Sequence, residues 1–144
     1  MSESTTATLQ SLPGSRYYPE AHLATWHPQG VLDDEFADRV VALLEDEEYA
    51  AENPFDRYTD MSGLTAVRLS VGRMFRISER RRAGYAWTKP VKSAFYCPSM
   101  IGFGLARMYE LLMEKGPIQV RVFRTREDAA EWLGVSVELL MPGE

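Results

Sequence analysis

The segment Asp60-Met61-Ser62-Gly63-Leu64 sets a hydroxyl two residues from a carboxylate, at a point where Ser62-Gly63 halts a strand-like run. Phe55 to Met61 alternates large side chains as a strand does, so the aspartate and the serine fall at its carboxyl end. In open α/β sheets that end is where ligands and partners bind. That leaves the Ser62 hydroxyl where a ligand or partner would meet it. Asp60, Gly63 and Leu64 complete a candidate recognition turn, with Gly63 supplying the backbone freedom that a sharp strand-to-loop turn needs. A second constellation follows closely. Arg73, Arg76 and Arg80 recur at helical spacing, so three guanidinium groups share one face and can jointly hold a phosphate, a carboxylate or an acidic partner segment. A solvated charged face is the plainer reading of the same run. Neutralisation by the acidic helix of a second copy is a third.

Other chemistries find less support. The two histidines, His22 and His27, lie near the first strand and are paired by spacing with neither a carboxylate nor a metal partner, so a Ser-His-Asp arrangement has no basis in the spacing. Cys97 is the single cysteine, which rules out an intramolecular disulfide and a cysteine-based zinc cluster. Its apolar setting, Ala94-Phe95-Tyr96-Cys97, fits a buried structural thiol. The acids between Asp33 and Glu52 follow no EF-hand spacing and read as a solvated helix face, and neither a Walker loop nor a G-x-G-x-x-G fingerprint is present. No metal, cofactor or catalytic residue is expected, and the reading is of a non-enzyme. A formal net charge of -5 argues against general nucleic-acid binding. No apolar run reaches the roughly 20 residues that span a bilayer, and the start Met1-Ser2-Glu3-Ser4 does not resemble a signal peptide, so a cytoplasmic protein without membrane insertion is expected.

These residues must be positioned by one compact domain, for which 144 residues suffice. Residues 1–16, rich in Ser, Thr and Gly, read as a disordered arm, and 17–144 as the domain. His22 to Trp26 is a short aromatic and β-branched run that predicts a first strand, and Pro28-Gln29-Gly30 predicts its turn. Asp33 or Asp34 caps a helix whose apolar face runs through Phe36, Ala37, Val40, Val41, Leu43 and Leu44. After the recognition turn, Thr65 to Leu69 reads as extended and Ser70 as the cap of a helix reaching about Gly84. Val71, Met74, Phe75 and Ile77 are expected to face a core, with Arg81 and Arg82 outside beside the other arginines. Val91 to Tyr96 predicts a third strand. Met100 to Lys115 predicts a helix with so much apolar circumference that a second subunit, an internal pocket or deep burial must cover it. Gly102 and Gly104 would allow close approach there. Ile118 to Phe123 predicts a fourth strand, and Thr125 caps a last helix that Gly134 ends.

In the order of these elements and in its D-x-S-G-L turn, the stretch from Leu23 to Leu140 resembles STAS domains, the sulfate transporter and anti-sigma factor antagonist superfamily. The segment Val122 to Gly134, with its Val-Phe-Arg-Thr and Trp-Leu-Gly, resembles the carboxyl-terminal end of the divergent branch related to sporulation anti-sigma factor antagonists. The resemblance implies a single α/β domain with a mixed, mostly parallel sheet of four or five strands flanked by helices. It also implies a regulatory protein-binding module in which the serine before the glycine, Ser62 here, is phosphorylated by a partner kinase. A homodimer through the Met100 to Lys115 helix is a further expectation. The alternative is a small-molecule protein that encloses a lipid-like or anionic ligand beside the apolar helices.

Overall fold

The computed structural model describes residues 12–85 and 89–143. Its main sheet has five strands: β1 (Ser15–Tyr18), β2 (Leu23–Trp26), β4 (Asp56–Asp60), β6 (Val91–Tyr96) and β7 (Ile118–Phe123), side by side in that order. Only β1 is antiparallel to its neighbour. A second, two-stranded parallel sheet pairs β3 (Gly30–Asp33) with β5 (Leu64–Arg68). Four helices flank the sheets: α1 (Asp34–Ala50), α2 (Val71–Gly84), α3 (Phe103–Leu112) and α4 (Arg126–Leu133). The expected α/β class with a mixed, mostly parallel sheet is what the chain adopts.

Each parallel step is a strand, a crossover helix and the next strand, so successive strands point their carboxyl ends the same way. Caps define where the helices begin. Asp33, Ser70 and Thr125 each accept a hydrogen bond from a backbone N–H in the first turn of α1, α2 and α4 respectively. Thr65 to Arg68 is extended as expected, now as part of β5, and its partner β3 was missed because Gly30 read as the end of a turn. Alternation divides the main sheet. Ala24, Trp26, Arg57, Ser93, Phe95 and Val120 face α1, α2 and α3, whereas Leu23, Tyr58 and Ala94 pack with Ala129, Ala130 and Leu133 of α4 and with Leu140.

The charged helices are not solvated as expected. α1 and α2 lie against each other, and their pairs keep a nearly constant separation in sequence. Asp34 holds Ser70, Asp38 pairs with Arg73, Glu45 with Arg80 and Glu48 with Arg81, at separations of 36, 35, 35 and 33 residues. Two helices paired at constant offset run parallel, side by side. The acidic helix of the same chain, not of a second copy, thus neutralises Arg73, Arg80 and Arg81. Arg81, expected outside, is only 2% exposed, as is Glu48, while Val71 and Phe75, expected inside, are about half exposed. Their places differ from expectation because the contact face of α2 is turned toward the acids of α1.

Three boundaries also move. Residues 1–11 of the expected arm lie outside the described residues, but Leu12 is buried and Ser15 to Tyr18 forms β1, so residues 12–16 belong to the fold. α3 is shorter than the predicted Met100 to Lys115 helix, because Gly102 adopts a left-handed conformation (φ +75°) at its start. A Cβ there would sit 2.6 Å from Met61 Cε, so the end of that side chain would have to shift. Gly104 has no such crowding. Most of the apolar surface of α3 is covered within the chain, leaving Met100, Ile101 and Leu111 exposed. No helix among the described residues is long and apolar enough to cross a membrane.

Candidate functional site

The turn expected to serve recognition sits where the sequence places it, as a 3-10 turn over Met61–Gly63 at the carboxyl end of β4. Its parts behave differently. Ser62 is exposed, whereas Asp60 and Leu64 are buried at 1% and 4% exposure, so the serine and not Asp60 or Leu64 reaches the surface. Leu64 belongs to the apolar core with Met61, Cys97 and Ile77. Gly63 has no positive φ, so the backbone freedom expected of it is unused; the Gln29 side chain occupies the place a Cβ would take.

Asp60 is the hub beneath the serine. Its Oδ1 accepts from Ser62 N at 3.0 Å and from Ser62 Oγ at 2.5 Å. Its Oδ2 accepts from the Tyr58 hydroxyl at 2.8 Å and from Arg126 Nε at 2.9 Å. Arg126 Nη2 reaches Ser62 Oγ at 3.3 Å, and the guanidinium lies 4.7 Å from the centre of the Tyr96 ring. Burial pushes the Asp60 carboxyl up, but the hydroxyl and amide of Ser62, Tyr58 and Arg126 together outweigh it and hold the group below its ordinary value. Burial, with the adjacent Asp60 charge, pushes the Tyr58 hydroxyl far up, so it stays protonated and donates.

Two members of this cluster were not anticipated. Arg126 opens α4, directly after Thr125, and crosses the end of β6 to reach β4. His27 follows β2, and its ring lies edge-on to Tyr58 at 5.9 Å with Nε2 3.7 Å from Asp60 Oδ2. The same Nε2 is 2.9 Å from the Leu140 carbonyl oxygen, which can only accept, so Nε2 carries the proton and donates it there. A base would need that nitrogen free. Ser62 in turn donates its hydroxyl hydrogen bond to Asp60 and not to His27, so the two do not form a serine–histidine pair. The signal available in sequence was indirect: residues just after parallel strands converge at one edge, but which of them meet depends on the strand order.

The arginine face resolves differently from expectation. Arg80 makes a forked contact with Glu45, with Nη2 2.6 Å from Oε1, and Arg73 is paired with Asp38, so both are committed within the chain. Arg76 alone of the three remains exposed without an ion pair among the described residues. Beneath them, Arg81 and Arg57 share Glu48, with Arg81 Nη2 2.5 Å from Glu48 Oε2. Cys97 is buried beside Met61, their sulfurs 3.5 Å apart, and burial pushes its thiol up to about 11, as a structural thiol requires. No cluster of metal-ligating side chains occurs among the described residues.

Behind the turn, between the sheet and helices α1, α2 and α3, lies a cavity of about 160 Å³. Met61, Val67 and Gly102 line it from the recognition end, and Ser62 does not. Comparison with protein-family models, with curated proteins and with solved structures finds no match to this chain.

Proposed function

We propose that the protein is a STAS-like regulatory module of the cytoplasm, without enzymatic activity, that binds a protein partner around Ser62 and is switched by phosphorylation there. The observation that carries this reading is the exposed Ser62 hydroxyl held between the Asp60 carboxylate and the Arg126 guanidinium. A partner kinase would move the terminal phosphoryl group of a nucleoside triphosphate to Ser62 Oγ, with the hydroxyl proton leaving to the kinase. The hydroxyl's hydrogen bond to Asp60 is then lost, and nearly two negative charges arrive beside a buried carboxylate. Arg126 can answer by turning its fork from Asp60 to the phosphoryl oxygens. Recoil of the turn from Asp60, together with the moved arginine, changes the surface a partner meets.

Part of the partner surface is apolar. Met100, Ile101 and Leu111 stay exposed on and before α3, and this patch replaces the broader helix face as the place for a homodimer contact.

The test is partner capture from native lysate with wild type, Ser62→Ala, Ser62→Asp and Arg126→Gln. Ser62→Asp is expected to change the recovery of a bound protein by about tenfold or more, the size of a charge-pair change at an interface. Ser62→Ala should keep the unphosphorylated pattern. Absence of phosphate at Ser62 in protein isolated from its own cells, with an unchanged partner set for Ser62→Asp, would end this reading.

A further inference from the structure

Buried charge around the cavity does not balance. Glu48 is shared by Arg57 and Arg81, and Arg81 also comes within 3.9 Å of Glu45, which is chiefly engaged by Arg80. The Arg80–Glu45 pair is partly solvated, whereas the buried group sets two guanidinium groups, Arg57 and Arg81, against the one carboxylate of Glu48, leaving one excess positive charge. Glu48, Arg57 and Arg81 are 2%, 6% and 2% exposed, so solvent does little to offset it. The hydrogen-bond count shows a matching deficit. Arg57 gives Nη1 to Glu48 and Nη2 to the Phe55 carbonyl at 2.9 Å, but its Nε–H is buried without a hydrogen-bond partner among the described residues. An unpaired buried donor of a charged group is costly to leave unmade.

Arg57, Arg81, Ser93 and Tyr109 are all in the wall of the 160 Å³ cavity, and most of the remaining wall is aliphatic or aromatic. Across the paired strands β4 and β6, Arg57 lies opposite Ser93, which makes a polar floor under an apolar vault. A cavity of roughly 150 Å³ in an unrelated protein accommodates benzene, so this one is of single-ring size.

We infer that the cavity is a binding site for a small apolar carboxylate, a one-ring or short-chain acid whose hydrocarbon body fills the vault and whose carboxylate meets Arg57. One negative charge answers the one excess positive charge, and one oxygen answers the idle Nε–H. A phosphate fits worse, since among the described residues its second charge and third oxygen find no further unpaired donor in the wall. Phosphorylation of Ser62 is not needed for this binding, because Ser62 lies outside the cavity.

Calorimetric titration of the purified full chain with benzoate and hexanoate, against toluene and benzyl alcohol as uncharged probes, tests this. Saturable one-site binding of at least one acid is expected, with a preference over its uncharged counterpart of roughly ten- to hundredfold, the worth of a buried charge-assisted hydrogen bond. Ala106→Leu, which fills the cavity from α3, should abolish binding while the circular dichroism spectrum stays native. Should that variant fail to fold, Arg57→Lys carries the test: it keeps the charge beside Glu48, lacks the Nε–H, and should weaken acid binding roughly tenfold. No saturable binding of either acid at millimolar levels, equal affinity for the uncharged probes, or unchanged affinity in the folded variants would each overturn the inference.

Discussion

Asp60 accepts from four donors while nearly out of reach of water, and that count sets how the turn depends on acid. Its carboxyl lies below the ordinary value of 3.8 in the folded chain. The stability it contributes is thus fully present above that value and is lost as pH falls through the lower, folded value. Asp60→Asn should cost about 2–3 kcal/mol at neutral pH, the usual worth of hydrogen bonds to a buried charge, and should flatten the fall in stability as the pH drops below the ordinary carboxyl value of 3.8. Urea unfolding followed across that range measures both effects, and an unchanged profile would show that Asp60 is not the hub. The partnership of Asp60 with Ser62 was legible in the sequence, because two residues across one tight turn meet whatever the remainder of the chain does. Arg126 and His27 were not, since they arrive from 66 and 33 positions away in sequence through the order of β2, β4, β6 and β7.

At the level of elements, the contact between α1 and α2 is graded by depth. Its outer pairs, such as Arg80 with Glu45, remain partly exposed, and its inner group, Glu48 with Arg57 and Arg81, is dry. Screening by water makes an outer pair worth little, whereas removing the central acid strands two buried cations. Glu48→Gln should therefore cost about 3–5 kcal/mol. Arg80→Ala should cost no more than about 1 kcal/mol. Equilibrium denaturation of the two variants gives the comparison, and equal losses would contradict the grading. The sequence displayed an acidic helix and a basic helix plainly. It did not show that they face each other, because a surface charge run and a pairing face have the same composition. Only the near-constant offset of about 35 residues distinguishes the two.

For the whole molecule, the strands and helices that lie between Leu23 and Gly134 followed from periodicity and caps, β3 excepted. The two weakest signals, β1 and β3, were lost among Gly, Pro and Ser, where four-residue strands carry little pattern. The cavity was foreshadowed by the apolar excess of α3, whose Leu105, Ala106 and Tyr109 line it. What remains outside, Met100, Ile101 and Leu111, sets a prediction for assembly. The wild type is expected to sediment as a dimer at high concentration, and Leu111→Glu as a monomer; a wild-type monomer throughout would discard the contact. The paired helices have a last consequence for how such a chain comes together. α1 and α2 are launched side by side from β3 and β5, so every charge pair between them closes a loop of nearly the same length. The chain entropy of closing that loop is lost once, at the first pair, and each later pair adds its attraction without a comparable loss, like the teeth of a fastener drawn from one end.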